Sequence, residues 1–114
     1  MKIDKSLISG STTMLILRLL EKEDMYGYQM IEELELRSEN IFTLKAGTLY
    51  PILHTLEQQS MIQSYEQTQN GRSRKYYRIT DQGAELLQEK KKQWITYSAS
   101  VSKVLGGTDY AILQ

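Results

Sequence analysis

The sequence predicts an α+β, mostly α fold: a winged helix–turn–helix followed by a long C-terminal dimerisation helix. Three observations predict it. Apolar residues recur at helical spacing in three successive stretches before residue 60. Asn70-Gly71 then divides two β-prone runs, the strongest short hairpin signal. After Thr80 a 3,4-spaced seam continues to Leu105. The expected division is a winged helix–turn–helix unit over 1–80, a dimerisation helix over 81–105 and a tail over 106–114.

The first helix is expected over 7–20. Within Met14–Leu20 only Arg18 is polar, so this helix needs cover on more than one side, from its own chain or from a second subunit. Asp24 is a plausible N-cap for a second helix from about Tyr26 to Leu36. Tyr26, Met30 and Leu34 would face its core, and Glu32, Glu33 and Glu35 water. Gly27 is tolerable in a first turn, where it permits close approach. The third helix carries Leu49, Leu53 and Leu56 on its buried face, with Ile52 beside them. Pro51 is expected in its first turn, which places the start near Gly47 or Thr48. Thr48, Tyr50, His54 and Thr55 fall mostly on other faces; such side chains suit DNA backbone and base edges, although an ordinary surface helix would look similar.

A strand is expected from Met61 to Glu66 and its return from Arg74 to Ile79. Alternation sets Tyr77 and Ile79 against Arg74, Tyr76 and Arg78, and a tyrosine on each face leaves the inward face open. Thr80 is the expected N-cap of the last helix, with Asp81 in its first turn. Its seam is Ala84, Leu87, Lys91, Trp94, Ser98, Val101 and Leu105. At 1.5 Å per residue this helix is about 37 Å long, too long for so small a unit to cover alone. A partner's copy is the natural cover, with Leu87, Trp94, Val101 and Leu105 as interface residues. Gly106-Gly107 ends the helix, and 108–114 reads as a loose or separately docked tail.

Net charge is zero over 114 residues, but it is unevenly placed. Residues 21–44 hold seven acids against Lys22 and Arg37; residues 45–80 hold Lys45, Arg72, Arg74, Lys75 and Arg78 against Glu57 and Glu66. A local field binds phosphate, so the basic block favours the third helix and the hairpin as a DNA-binding surface. The expected contacts are Lys45, Thr48, Tyr50, His54, Arg72, Arg74 and Lys75. Double-stranded DNA and a second copy of the chain are the expected partners.

Other classes are poorly served. No cysteine is present and the one histidine is His54, so neither a disulfide framework nor a usual zinc site is expected. No Gly-rich phosphate loop precedes a helix. No catalytic residue, metal or cofactor is therefore expected, and the chain is not read as an enzyme. Apolar clusters fall far short of the roughly 20 residues that span a bilayer, and the N-terminus lacks a signal-peptide pattern, so no membrane partner and a cytoplasmic location are expected. The competing reading is a winged-helix protein-interaction module that docks a basic partner on the acidic block.

Four motifs in order carry a resemblance: Tyr26-Gly27-Tyr28, Gly47-Thr48-Leu49-Tyr50-Pro51, Leu56-Glu57, and Arg74-Lys75-Tyr76-Tyr77-Arg78-Ile79-Thr80 running into Gly83. Over about residues 7–105 the chain resembles the PadR family of bacterial transcriptional regulators. The resemblance implies a homodimeric winged-helix repressor whose third helix enters the major groove and whose wing touches the backbone or minor groove. The short chain is similar to a small drug-sensing subfamily in which an aromatic at the position of Trp94 stacks on planar ligands. That implies a small planar aromatic effector at Trp94, although a tryptophan on a helix seam is more often an interface anchor. Two departures stand out. Ser60 replaces the glycine usual at the third helix's exit, and Lys91 stands where the drug-sensing relative has an aromatic. With Lys91 beside Trp94, the effector is expected to carry an anionic or polar group.

Overall fold

In the computed structural model, which describes residues 2–107, the first expected helix is two: α1 (Lys5–Ser9) and α2 (Thr12–Lys22). The side chains at the junction explain the break. Ser11 Oγ and Thr12 Oγ1 both donate to the Ile8 carbonyl, at 3.1 and 3.0 Å, which occupies the acceptor a continuous helix would use. The apolar α2 is covered by its own chain: Ile16, Leu17, Leu19 and Leu20 are all buried.

β1 (Met25–Tyr26) leads directly into α3 (Gly27–Arg37). This short strand was not foreseen, and it changes two expectations. Tyr26 is the N-cap residue of α3, with no side-chain cap, so it leaves the helical core face; Asp24 faces the hairpin instead of capping. Two residues are too short to show alternation, and pairing with a distant strand has no local signature.

α4 (Ala46–Gln58) starts earlier than Pro51 suggested. The Lys45 carbonyl accepts from Thr48 N and Leu49 N and closes the first turn, so Pro51 is the sixth helical residue. Its missing N–H leaves the Gly47 carbonyl without a helical donor, but Gly47 is exposed and water can satisfy it.

β2 (Ile62–Gln69) and β3 (Arg72–Ile79) form the hairpin. Both strands extend farther toward the tip than expected. The register pairs Gln69 with Arg72, which leaves Asn70 and Gly71 as a two-residue turn with φ +53° and +77°, the signs a type I′ turn requires. β3 is central in the order β1-β3-β2, and both neighbours are antiparallel to it. The question of the inward face is resolved by covering both tyrosines. Tyr77 joins the core, and Tyr76 is buried on the outer face between its paired neighbours Tyr26 and Tyr65.

α5 (Asp81–Leu105) has the expected start. Gly83 N donates to Thr80 Oγ1 at 3.1 Å, and that hydroxyl donates to the Ser60 carbonyl at 2.7 Å, so one side chain caps α5 and ties it to the exit of α4. The helix ends at Gly106. The core joins Ile16, Leu17 and Leu20 to Met30, Leu53, Ile62 and Leu87. Leu87, expected at the partner interface, thus lies fully buried within its own chain. No helix among the described residues is long and apolar enough to cross a membrane. Most of the expected tail, 108–114, lies outside the described residues.

Candidate nucleic-acid interface

The site is built on α4. Leu49, Leu53 and Leu56 are buried and fix its orientation. Lys45 at its N-cap, and Thr48, Tyr50, Pro51, His54 and Thr55 along it, are exposed. Thr48 and Tyr50 do not share a flank. At 3.6 residues per turn, residues two apart stand roughly 160° apart around the axis. Tyr50 packs against Gly27 at the start of α3, with His54 one turn beyond it, and Thr48 lies on the side of Thr55.

A groove of about 590 Å³ runs between the start of α3, Tyr50 of α4 and the near edge of β3. Tyr26, Tyr28, Tyr50, Arg72, Arg74 and Lys75 line it, with Gly27 and Tyr77 at its floor and Glu32 as its acidic member. Four of the seven expected contact residues therefore converge: Tyr50, Arg72, Arg74 and Lys75. Lys45, Thr48 and His54 are exposed on α4 but do not line this groove. Tyr26 and Tyr28, which also line it, are not among the expected contacts, although both belong to the Tyr26-Gly27-Tyr28 motif. The signal that misplaced Tyr26 was its helical spacing to Met30.

The three hairpin cations have different surroundings. Arg74 is half-buried, its guanidinium 4.3 Å from the centre of the Tyr26 ring. Lys75 Nζ lies 4.0 Å from Glu57 Oε1 and 5.7 Å from the Tyr77 ring. The other Glu57 oxygen accepts from Ser64 Oγ, so this carboxylate ties the end of α4 to both strands. Arg72, next to the turn, is exposed. Burial, then the nearby Glu57 carboxylate and Tyr50, push the Tyr77 hydroxyl above its usual pKa, so it stays neutral at the groove floor.

On the outer face of the sheet Tyr26, Tyr76 and Tyr65 form a ladder across three strands. Tyr26 meets Tyr76 edge-on at 5.5 Å, and Tyr65 stacks on Tyr76 at 5.8 Å. Arg78 lies 5.0 Å over Tyr65 and donates to Asp24 Oδ2 at 3.2 Å; the Tyr65 hydroxyl donates to the same oxygen at 2.6 Å. That hydrogen bond, with burial and the Asp24 charge, raises the Tyr65 pKa against the lowering effect of Arg78.

The other expected site lies on α5. Trp94 and Tyr97, 6.5 Å apart between ring centres, line a smaller groove of about 260 Å³ with Lys90, Gln93, Gly10 and Met14. Lys91 does not line it. It turns to α2, with Nζ 3.8 Å from Glu21 Oε1. The lysine at this groove is Lys90, its neighbour.

Residues 16–89 match the model of the Transcriptional regulator PadR-like family. The chain belongs to the PadR family. It is a transcriptional regulator with a DNA-binding winged helix, not an enzyme. The chain is 33% identical over 108 residues to an uncharacterized protein X of Lysinibacillus sphaericus, covering 94% of this chain and 99% of that one. It is 30% identical over 95 residues to the transcriptional regulator Rv3488 of Mycobacterium tuberculosis, covering 83% of each. Among solved structures, a PadR family transcriptional regulator from Eggerthella lenta superposes with a TM-score of 0.80 at 35% identity, covering 89% of this chain and 87% of that one.

Proposed function

We propose that this PadR regulator is a ligand-responsive repressor, which acts in the cytoplasm as a homodimer on a palindromic operator. One observation carries the DNA-contacting surface: Tyr50 of α4 and the cations Arg72, Arg74 and Lys75 of β3 converge on one open groove. Phosphate contacts from the wing would set the register, and the exposed face of α4, with Lys45, Thr48, Tyr50 and His54, would meet the major groove. A two-fold dimer would present two such faces to half-sites about one helical turn apart. The support for the dimer is the far half of α5, where Trp94, Ile95, Tyr97, Val101, Val104 and Leu105 are all exposed. The winged helix over 1–80 and the helix over 81–105 would thus divide the work, although Leu87 serves the core of the first. An effector would enter beside Trp94; a planar aromatic ring with an anionic group suits the Trp94–Tyr97 pair and Lys90.

A gel shift on the protein's own promoter, at about 50 and 200 mM salt, tests the DNA reading. Four to six phosphate contacts per dimer lower the affinity roughly a hundredfold to a thousandfold over that range. Absence of specific binding at the lower salt, with and without planar aromatic acids, would favour a protein-interaction module. Titrating such acids against Trp94 fluorescence tests the effector site. Ligands that relieve DNA binding without quenching Trp94 would remove the platform.

A further inference from the structure

We infer that Tyr26-Gly27, at the entry to α3, is the seat that aims the two principal side chains of the DNA groove, Tyr50 of the recognition helix and Arg74 of the wing. The inference deepens the DNA reading above and rests on it.

The first half of the seat is a missing side chain. A β-carbon at position 27 would fall well inside contact distance of the Tyr50 ring, 2.7 Å from its Cζ. Gly27 is itself buried. The glycine thus makes room for the Tyr50 ring as it stands, a larger residue would displace that ring, and Gly27's own backbone, which is ordinary helix, does not call for glycine. Tyr50 is 47% exposed, so one side of its ring rests on α3 while the other faces the groove. A ring that packs against α3 on one side has fewer positions open to it than a free one, which lowers the ordering cost of binding.

The second half is the adjacent ring. Tyr26 is held from behind by Tyr76, its register partner, and carries the Arg74 guanidinium on its face. The same ladder ends at its other side in Arg78 over Tyr65. Arg78 is matched by Asp24, whereas among the described residues Arg74 makes no ion pair. An aromatic face fixes a guanidinium without cancelling its charge, and a carboxylate does both. Arg74 is thus positioned with its charge intact, at the groove. Lys75 is partly answered by Glu57, and Arg72 has no such support, so Arg74 is the wing cation best prepared for a phosphate.

Tyr26 and Gly27 are positioning residues here, and their defining property is coupling. The duplex used in the test is the one recovered by selecting randomised DNA on the wild-type protein. Gly27→Ala and Tyr50→Ala should each weaken binding about tenfold, the scale of one good contact. The double variant should bind no more weakly than Tyr50→Ala alone, because the ring that Gly27 seats is already gone. Tyr26→Leu should cost as much as Arg74→Ala and add nothing to it, and Tyr26→Phe, which keeps the ring face, should bind like wild type. Circular dichroism melts confirm that each variant folds. Fluorine spectra of 3-fluorotyrosine protein give a readout without DNA: Gly27→Ala should shift the Tyr50 resonance. Additive losses in the two pairs, or wild-type affinity in Gly27→Ala, overturn the inference. A wild-type chain that selects no duplex overturns the DNA reading; an unmoved Tyr50 resonance overturns the seat.

Discussion

The two halves of α5 carry one heptad pattern and meet opposite surroundings. In the near half, Gly83 and Leu87 are buried, and Leu87 has no exposed surface at all. In the far half, Trp94 is 49% exposed, Leu105 59% and Val104 88%. A 3,4 pattern announces that one stripe of a helix will be covered, but not by what. The deciding quantity is reach. The body of the winged helix extends along α5 as far as α2, whose last turn meets the helix at the Glu21–Lys91 pair. Beyond Lys91, Gly10 and Met14 at the α1–α2 junction flank Trp94 and Tyr97, and among the described residues Ser102 is the only one of this half of α5 that is buried.

This contrast is broken most forcefully in the near half. Leu87→Ala removes a fully buried side chain and should cost about 2–5 kcal/mol, the range for leucine truncations in cores. Urea denaturation should register that loss equally at every protein concentration, because the contacts removed lie within one chain. A loss that vanished at high protein concentration would mean that Leu87 is covered by a partner after all.

Val101→Lys attacks the far half and should behave in the opposite way. Val101 is 37% exposed, so a lysine there costs the single chain little. In the proposed dimer it would bring two like charges onto an apolar seam. The dimer should weaken on the order of tenfold or more, equivalent to roughly 1.4 kcal/mol or above. Sedimentation at several concentrations measures this directly. A dimer of unchanged strength would place the seam elsewhere, for instance on the exposed Leu7 and Ile95.

The same contrast explains how much of the molecule was legible in the sequence. Local chemistry was readable. Asn70-Gly71, the Thr80 cap and the buried stripe Leu49–Leu53–Leu56 all stand where residue type and spacing put them. Ser60 is a further local case: it sits at φ +63°, the left-handed region that explains why a glycine would suit this exit. Non-local pairing was not readable. β1 exists because Met25 and Tyr26 meet Tyr77 and Tyr76, some fifty residues away, and no period in the sequence encodes that. For the same reason Asp24 looked like a cap when its partners are Tyr65 and Arg78. The site followed the same division. Residue type and charge single out Tyr50 and the hairpin cations that line the groove, whereas the place of Tyr26 there depends on Arg74, which is on another strand.

Lys91→Ala should have the smallest effect, and it tests where the boundary lies. Lys91 occupies a seam position, so a partner-covered seam would make it a buried charge, costly on removal of its counter-ion. Here its Nζ is 3.8 Å from Glu21 Oε1, and both side chains keep about a third of their surface in water, 39% and 32%. Glu21 also accepts from Arg18 at 2.9 Å, so it keeps a partner when the lysine is gone. Exposed pairs of this kind contribute about 0.2–1 kcal/mol, and a shared carboxylate belongs at the low end, roughly 0.5 kcal/mol or less. The loss should shrink in high salt, as expected for a pair in contact with water. A salt-insensitive cost near that of Leu87→Ala would mean that the lysine is enclosed at a subunit seam, and that the partner's cover begins one turn earlier, ahead of Trp94.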